Sequence, residues 1–189
     1  MAKLHQHLEC RNFVVFPICV REYDDDLEQS AIVYPKLSDY HIGLPGSPEL
    51  RKTFLDELKR AVSCIHDAGV VHFDLYLSNI MWRESSPGII KLKIIDWDAA
   101  HFVNEELYQT TYVRLQQPSK RSAVHEIATA ADKVQSCDKE LFMKYYDLSL
   151  LQVLEMNLHD PSLLVETKKE LDEACVQCQL NYIQNYNIQ

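Results

Sequence analysis

Glycine is scarce in this sequence of 189 residues, which contains only Gly43, Gly46, Gly69 and Gly88. No two of these glycines form a G-x-G pair, so the chain has no loop of the G-x-G-x-x-G type, which cradles phosphate groups with backbone N–H donors. A G-x-S-x-G elbow is also absent, which argues against a serine hydrolase built on that turn. Phosphate chemistry, if the chain has any, must come from other motifs.

Positive charge and long apolar runs are lacking too. The formal net charge is -9, whereas a protein that binds a phosphate backbone needs clustered Lys and Arg. No apolar run approaches the roughly 20 residues of a membrane span, and the N-terminal "MAKLHQHLEC" lacks the apolar core of a signal peptide. We therefore expect a cytoplasmic protein with neither nucleic acid nor membrane among its partners.

The six cysteines are expected to be reduced thiols, because no secretory signal is evident. Cys175 and Cys178 form a C-x-x-C on the apolar side of a predicted helix. Since zinc needs about four ligands and no second pair is near, we interpret them as packed core thiols. His5 and His7 are interpreted as exposed helix residues, not as metal ligands.

The pattern of the chain predicts a mixed α+β fold. Short β-branched runs at 12–20 and 30–37 are typical of strands, and the acidic stretch between them of a solvated hairpin connection. Ser47 and Pro48 begin a predicted helix that carries Leu50, Phe54, Leu58, Val62 and Ile65 at helical spacing and ends near His66, before Gly69. Further strands are expected within 69–75, 78–82 and 89–97, followed from about residue 105 by helices that include 139–158 and 162–180.

The stretch "VVHFDLYLSNIMW" at 70–82 places polar residues at fixed spacing in an apolar run. Asp74 and Asn79 are five residues apart, which allows a loop to present both to one cleft, and the apolar "IIKLKII" then delivers Asp96 at its end. Phosphoryl transfer needs this layout: one carboxylate faces the attacking hydroxyl, while an amide oxygen and a second carboxylate hold Mg²⁺ against nucleotide phosphates.

Together with "KLKIIDWDAA", this stretch resembles the catalytic loop and metal-binding motif of the protein-kinase-like superfamily. The resemblance implies a kinase-like α+β fold, with a mostly helical large lobe and a remnant of the small-lobe sheet. It implies Asp74 as catalytic base, Asn79 and Asp96 as Mg²⁺ ligands, and His72 as the structural histidine of the loop. Asn79 thereby also belongs to the catalytic loop, and Mg²⁺ and ATP are the implied cofactors.

The resemblance extends to the first part of the chain. Residues 1–37 resemble the end of the kinase small lobe, and residues 38–189 resemble the large lobe, with the catalytic loop at 70–82 and the metal motif at 94–98. The hinge would run from Tyr34 to Leu37. Nucleotide-binding positions implied by the resemblance are Tyr34, Lys36, Leu37 and Met81.

Several positions depart from the family pattern. Phe73 replaces the Arg of H-R-D, so control by a phosphorylated activation loop is not expected. Tyr76 stands where a cation near the transferring phosphate is usual, and "DWD" replaces D-F-G. The last motif also resembles aminoglycoside phosphotransferases and choline kinases, which leaves the phosphate acceptor open between protein and small molecule. A looser resemblance over 123–140 places His125 and Glu126 at the end of the activation segment, and Asp138 at a buried Asp of the next helix.

The kinase elements that cover the nucleotide phosphates are not recognisable in the sequence. The Gly-rich loop, the strand Lys and the helix Glu are expected before Met1, and Lys3 and Glu9 are interpreted as ordinary helix-surface residues. Two hypotheses follow: a phosphotransferase that retains Asp74, Asn79 and Asp96, or a catalytically degenerate kinase fold used as a binding scaffold. The outer edge of a two-stranded sheet would suit a protein partner. Mg²⁺-dependent ATP binding separates the two hypotheses.

Overall fold

The computed structural model describes residues 10–22, 30–103 and 136–159, together with Glu170. Within these ranges the chain combines two α-helices with short, mostly antiparallel strands, so the fold is mixed α+β as expected. Some sequence predictions lie outside the described residues; they concern Lys3, His5, His7, Glu9, His125, Glu126, Cys175, Cys178, the connection at 23–29 and the helix at 162–180.

Helix α1 spans Pro48–Asp67 and confirms the predicted helix. Ser47 caps it, since the Ser47 hydroxyl accepts a hydrogen bond from the backbone N–H of Leu50 at 3.1 Å, and Pro48 takes the first helical position. The helix ends before Gly69, whose φ of +71° places it in the left-handed region that favours glycine. The local signals at both ends therefore set the length of this helix.

The apolar stripe of α1 lies at the centre of the core, as its periodicity predicts. Phe54, Leu58 and Val62 are fully buried, and the helix packs against strand β6 (Ile89–Ile94) and helix α2 (Ser136–His159). Helix α2 confirms the helical prediction over 139–158. In the described part of the chain, no helix is long and apolar enough to cross a membrane.

The sheet nearest the catalytic loop has the strand order β3–β5–β6 and is antiparallel. Its strands are β3 (His41–Ile42), β5 (Ile80–Ser86) and β6 (Ile89–Ile94). The predicted "ESSPG" turn joins β5 and β6. On the edge of β6 that does not pair with β5, Val14 makes a parallel bridge to Ile94. The Ile94 N–H also donates to the Phe13 carbonyl at 2.7 Å. The chain before the hinge thus extends this sheet at the end of β6.

Strands β1 (Cys19–Glu22) and β2 (Ser30–Val33) form a separate antiparallel ribbon. The prediction of one strand over 12–20 is wrong in extent. Residues 10–12 form a 3-10 turn, and β1 begins only after Pro17, whose ring nitrogen cannot donate to a ladder. The division of the chain at residue 37 stays a prediction.

A third short pair joins β4 (Val70–Val71), at the start of the catalytic loop segment, to β7 (His101–Phe102), which follows the metal motif. The Val103 N–H donates to the Gly69 carbonyl at 3.0 Å and extends this contact. The segment that follows the metal motif is therefore folded back beside the strand that enters the catalytic loop.

The expectation that all six cysteines are reduced is wrong, because Cys10 and Cys64 form a disulfide with their Cα atoms 5.6 Å apart. They are 54 residues apart in sequence, and Cys10 is fully buried against α1. Sequence composition could not predict this pair, since it depends on how the 3-10 turn at residue 10 packs on the helix. Cys19 is a free, exposed thiol.

Candidate active site

Asp147 of α2 anchors the catalytic loop from below. Its side chain is fully buried, and its two carboxylate oxygens accept hydrogen bonds from the backbone N–H groups of His72 at 2.8 Å and Phe73 at 3.0 Å. The same carboxylate accepts from the Nε2 of His66 on α1 at 3.0 Å. A buried carboxylate needs such partners. Asp147 therefore fixes two consecutive peptide groups directly before Asp74.

His72 links the catalytic loop to the metal motif. Its ring is buried, and Nε2 lies 3.0 Å from the carbonyl oxygen of Ile95, which can only accept. The backbone N–H of Asp74 donates to Nδ1 at 3.3 Å. These partners select the tautomer with hydrogen on Nε2. One imidazole thus connects the residue before Asp96 with the backbone of Asp74.

Asp74 and Asn79 meet directly. The Asn79 Nδ2 donates to the backbone carbonyl of Asp74 at 2.7 Å and to the Asp74 carboxylate oxygen Oδ2 at 3.0 Å. Asn79 is 7% exposed, so these bonds lie out of competition with bulk water. The five-residue spacing therefore closes a loop in which Asn79 orients the Asp74 carboxylate.

Asp96 lies two residues after the end of β6, and the residue before it is bonded to the backbone of Asn79. The Ile95 N–H donates to the Asn79 carbonyl at 2.9 Å, and Ile80 pairs with Ile94 in the adjoining strands. Asp96 is exposed, in contrast to buried Asn79. The two motifs thus end side by side, with one carboxylate open to solvent; joint binding of one ion by Asn79 and Asp96 stays a prediction.

Among the residues that the structure describes, two other than glycine have positive φ values: Phe73 at +62° and Asp96 at +60°. Such conformations cost energy and persist where the surroundings impose them, often at functional sites. At Phe73 the backbone N–H is held by Asp147. After Asp96, the Trp97 indole N–H donates to the Ile94 carbonyl at 3.1 Å, and the Trp97 ring meets His72 edge-on at 4.7 Å. Both strained residues are braced by neighbours.

The donor set suits Mg²⁺, a hard cation that prefers oxygen ligands. Because both described hydrogen bonds of the Asn79 side chain use Nδ2, its metal-ligating atom would be the carbonyl oxygen Oδ1. The Asp96 carboxylate would supply the second oxygen ligand. Among the described residues, no group of three or more His, Cys, Asp or Glu could hold a metal ion, so an ion would rest on this mixed amide and carboxylate pair.

The implied nucleotide positions lie on a different part of the chain. Tyr34 and Lys36 are exposed, whereas Leu37 is partly buried and its carbonyl accepts from the Tyr40 N–H at 3.2 Å. Met81 is partly buried on β5 and is paired with Ile42 of β3, the strand that follows the hinge. The chain thus turns from the hinge to the strand that carries Met81, and contact with adenine stays a prediction at these positions.

The departures from the family pattern have definite surroundings. The Phe73 ring meets the His101 ring edge-on at 5.8 Å, so an aromatic contact occupies the position of the usual Arg. Tyr76 is partly buried against the hydrophobic core. The position that usually holds a cation near the transferring phosphate therefore carries a core-packed ring.

Asp147 is a buried carboxylate of α2 that the sequence analysis did not single out, while the role expected for Asp138 stays a prediction. Asp138 lies in the first turn of α2, whereas Asp147 lies in the middle of the helix, where it reaches the loop. The sequence does contain a signal for it: Asp147 is a lone carboxylate in the apolar stretch "YYDLSLLQVL". A buried charge at such a position is costly unless it is paired, which marks it as an anchor.

Lys93 on β6 joins the site to the chain before the hinge. Its ammonium donates to the carbonyls of Arg11 and Val14, each at 3.2 Å. Burial, and secondarily repulsion by Lys91, lowers the pKa of Lys93. The cation is thus held partly out of water, where it fixes residues 11–14 beside β6, the strand that precedes Asp96.

Comparison with known proteins agrees with this arrangement. Residues 33–106, which include both motifs, match the model of the lipopolysaccharide kinase (Kdo/WaaP) family. Mitogen-activated protein kinase 5 of Arabidopsis thaliana is 32% identical over 117 residues, which is 59% of this chain and 30% of that kinase.

The match to the family model and the match to a protein kinase both support the protein-kinase-like superfamily for this chain. A solved structure of WaaP in complex with acyl carrier protein aligns with a TM-score of 0.46 and 16% identity, and covers 98% of this chain and 73% of the WaaP chain. The chain spans less than a third of the curated kinase that it matches. Kinase-like transfer of a phosphoryl group is the general class of chemistry that the superfamily indicates.

Proposed function

We propose that this chain carries a Mg²⁺-dependent site for transferring phosphoryl groups from ATP. The observation that carries the proposal is the hydrogen bond from the Asn79 amide to the Asp74 carboxylate, with the Ile95 N–H bound to the carbonyl of the same Asn79. It connects the implied base and both implied metal ligands through one residue. The acceptor is a hydroxyl-bearing protein or small molecule.

Each residue has a defined task in this proposal. Asp74 accepts the proton of the attacking hydroxyl, and the Asn79 amide keeps the Asp74 carboxylate aligned. Asn79 and Asp96 hold the ion. When bound, Mg²⁺ neutralises charge on the nucleotide phosphates. His72 keeps the catalytic loop in register with the metal motif through the Ile95 carbonyl.

ATP binding by this chain alone should be weak. The sequence contains no G-x-G, so the phosphates would lack several backbone N–H donors and a Lys. Charge-assisted hydrogen bonds contribute about 1.5–3 kcal/mol each, and losing two or three removes about 3–9 kcal/mol of gross binding free energy. At about 1.4 kcal/mol per tenfold, a micromolar site becomes millimolar or weaker.

Calorimetry with ATP and Mg²⁺ tests the proposal by comparing Asp96→Ala with a control variant, Asp98→Ala. Asp96→Ala should abolish the Mg²⁺-dependent heat, whereas Asp98→Ala, which alters an exposed carboxylate in the same motif, should retain it. Asp74→Asn should retain binding but abolish release of labelled phosphate from ATP. Equal losses in the Asp96 and Asp98 variants would contradict the proposal, as would the absence of Mg²⁺-dependent heat at ATP concentrations well above the millimolar range.

A binding scaffold is the second candidate, and two observations favour it. Tyr76 packs on the core where transfer would need a cation. The β1–β2 ribbon also exposes Ile18 and Ile32, at 67% and 53%, on a two-stranded sheet that would suit a protein partner along its edge. In this case ATP would be bound without turnover, or not at all.

A further inference from the structure

Residues 10–14 are attached both to α1 and to β6, which is called the metal-binding strand below because it precedes Asp96. The Ile94 N–H donates to the Phe13 carbonyl. The Lys93 ammonium donates to the carbonyls of Arg11 and Val14. Two residues after Ile94 the chain reaches Asp96. Whatever fixes residues 10–14 therefore also fixes the strand that presents Asp96.

The Cys10–Cys64 disulfide is the covalent part of this attachment. Cys64 lies on the rigid helix α1, and Cys10 begins the 3-10 turn Cys10–Asn12. The Cys10 carbonyl accepts from the N–H groups of Phe13 at 2.9 Å and Val14 at 3.2 Å. The position of Cys10 is thus transmitted over one turn to the carbonyl that binds Ile94.

We propose that Cys10 and Cys64 form a redox-modifiable site that clamps the metal-binding strand when oxidised and releases it when reduced. The covalent bond adds to the core packing of Phe13 and Val14, to backbone bonds and to the two Lys93 bonds at 3.2 Å, which are near the long end of the hydrogen-bond range. Cys64 is partly exposed, which gives a small thiol access from that side.

The redox step uses a small-molecule thiol. One thiolate attacks one sulfur of the Cys10–Cys64 bond and forms a mixed disulfide, and a second thiol resolves it. The products are two protein thiols and one small-molecule disulfide. Oxidation is the reverse exchange, in which the small disulfide is reduced to two thiols while Cys10 and Cys64 become linked.

Peptide mapping by mass spectrometry under non-reducing conditions is the first test, on the full chain equilibrated with oxidised glutathione. The expected result is a linked pair of peptides that contain Cys10 and Cys64, while Cys19, an exposed thiol, is recovered as a mixed disulfide with glutathione or as an alkylated thiol. Alkylation of both Cys10 and Cys64 after this treatment would overturn the proposal.

Amide hydrogen exchange, resolved by residue, tests the clamp on the same chain before and after reduction. The Ile94 N–H, whose acceptor is in the clamped segment, should exchange at least about tenfold faster after reduction. The Val103 N–H, bound to Gly69 on another strand pair, is the internal control and should change by less than about twofold. No response at Ile94 would overturn the proposal.

Variants separate this cysteine pair from general effects of the reductant. Cys19→Ser should keep the Ile94 response, whereas the Cys10→Ser/Cys64→Ser double variant should exchange fast in both conditions. The comparison on the unchanged chain remains decisive if the double variant does not fold. A response that persists in a folded double variant would contradict the assignment to this pair.

The effect on the metal motif rests on the proposed function. Mg²⁺-dependent ATP binding should weaken at least about threefold on reduction, because the strand that presents Asp96 loosens. Equal affinities in the two states would overturn the link from the clamp to the site. If neither state binds ATP, the proposed function fails, while a redox response at Ile94 still supports the clamp.

Discussion

The catalytic end of the molecule and the β1–β2 ribbon differ in how far their own contacts define them. At the catalytic end His72 is fully buried and bonded through both ring nitrogens, and Asn79 is 7% exposed with two bonds from one nitrogen. On the ribbon, Ile18 is 67% exposed and Ile32 is 53% exposed. The site is thus held by local hydrogen bonds that are tied to distant residues through the Ile95 carbonyl and Asp147, whereas the described contacts of the ribbon are mainly those of its own short ladder.

This contrast separates the residues implied for phosphoryl transfer from the residues implied for the hinge. Residues that would orient the attacking hydroxyl and hold the ion are braced by both helices, through Asp147 of α2 and His66 of α1. The implied hinge residues Tyr34 and Lys36 are exposed at the end of the ribbon. We expect substitutions at the braced end to cost much, and those on the ribbon to cost little.

Removing the buried anchor should have the largest effect. Asp147→Ala leaves two backbone N–H groups and His66 without their buried acceptor, and we expect a loss of about 3–5 kcal/mol in the free energy of unfolding. Urea denaturation followed by circular dichroism measures this. Asp56→Ala, on the exposed side of α1, is the matched control. Equal stability of the two variants would mean that Asp147 does not anchor the loop.

The second largest effect on stability is expected from truncating a buried side chain of α1, compared with an exposed one on the ribbon. Leu58→Ala removes a fully buried side chain from α1, and a loss of about 2–5 kcal/mol is expected. Ile32→Ala, on the exposed face of the ribbon, should change stability by less than about 0.5 kcal/mol. Denaturation midpoints with unchanged slopes provide both values. A loss below about 0.5 kcal/mol for Leu58→Ala would contradict the central position of α1.

The helix cap should have a smaller effect. Ser47→Ala removes the acceptor of the Leu50 N–H and should cost about 0.5–2 kcal/mol. Ser47→Asp keeps a side-chain acceptor at this position and should restore most of the loss. Thermal unfolding of the three proteins measures the difference. The cap would be dispensable if the Ala and Asp variants unfolded together.

The smallest effect on stability is expected from the titration of Lys93, whose side chain bonds β6 to residues 11–14. Its pKa is lowered in the folded chain, chiefly by burial, so the unfolded chain binds more protons between the folded pKa and 10.5. Stability should therefore rise with pH through this window, and the penalty is complete only below it. Unfolding at a series of alkaline pH values measures the slope, which Lys93→Met should reduce. An unchanged slope in this variant would contradict the assignment.

The features of the fold that were predicted correctly are encoded by residues close together in the sequence. Ser47, Pro48 and Gly69 determine the ends of α1, and the apolar periodicity identifies its buried face. The order of Asp74, Asn79 and Asp96 along the chain was enough to identify the superfamily. In each case the signal lies within a few residues of the feature that it predicts.

The unpredicted features depend on contacts between distant residues. Asp147 is 75 residues from His72, and Cys10 is 54 residues from Cys64, so neither pairing follows from periodicity. Likewise β3 is two residues long and is defined by its pairing with β5. Such partners are selected by the packing of α1 and α2, which the sequence pattern alone does not give.

The central claim is that Asn79 and Asp96 share one divalent ion. Mn²⁺, added at substoichiometric amounts with ATP, broadens NMR signals of nuclei close to where it binds. We predict that the Asn79 side-chain amide and the Asp96 backbone amide broaden at lower Mn²⁺ than the Met156 amide, which lies nine residues beyond Asp147 along α2. Loss of this broadening in Asp96→Ala would complete the result. If Mn²⁺ left the Asn79 and Asp96 signals unchanged, or broadened them equally in Asp96→Ala, the proposed metal site would be wrong.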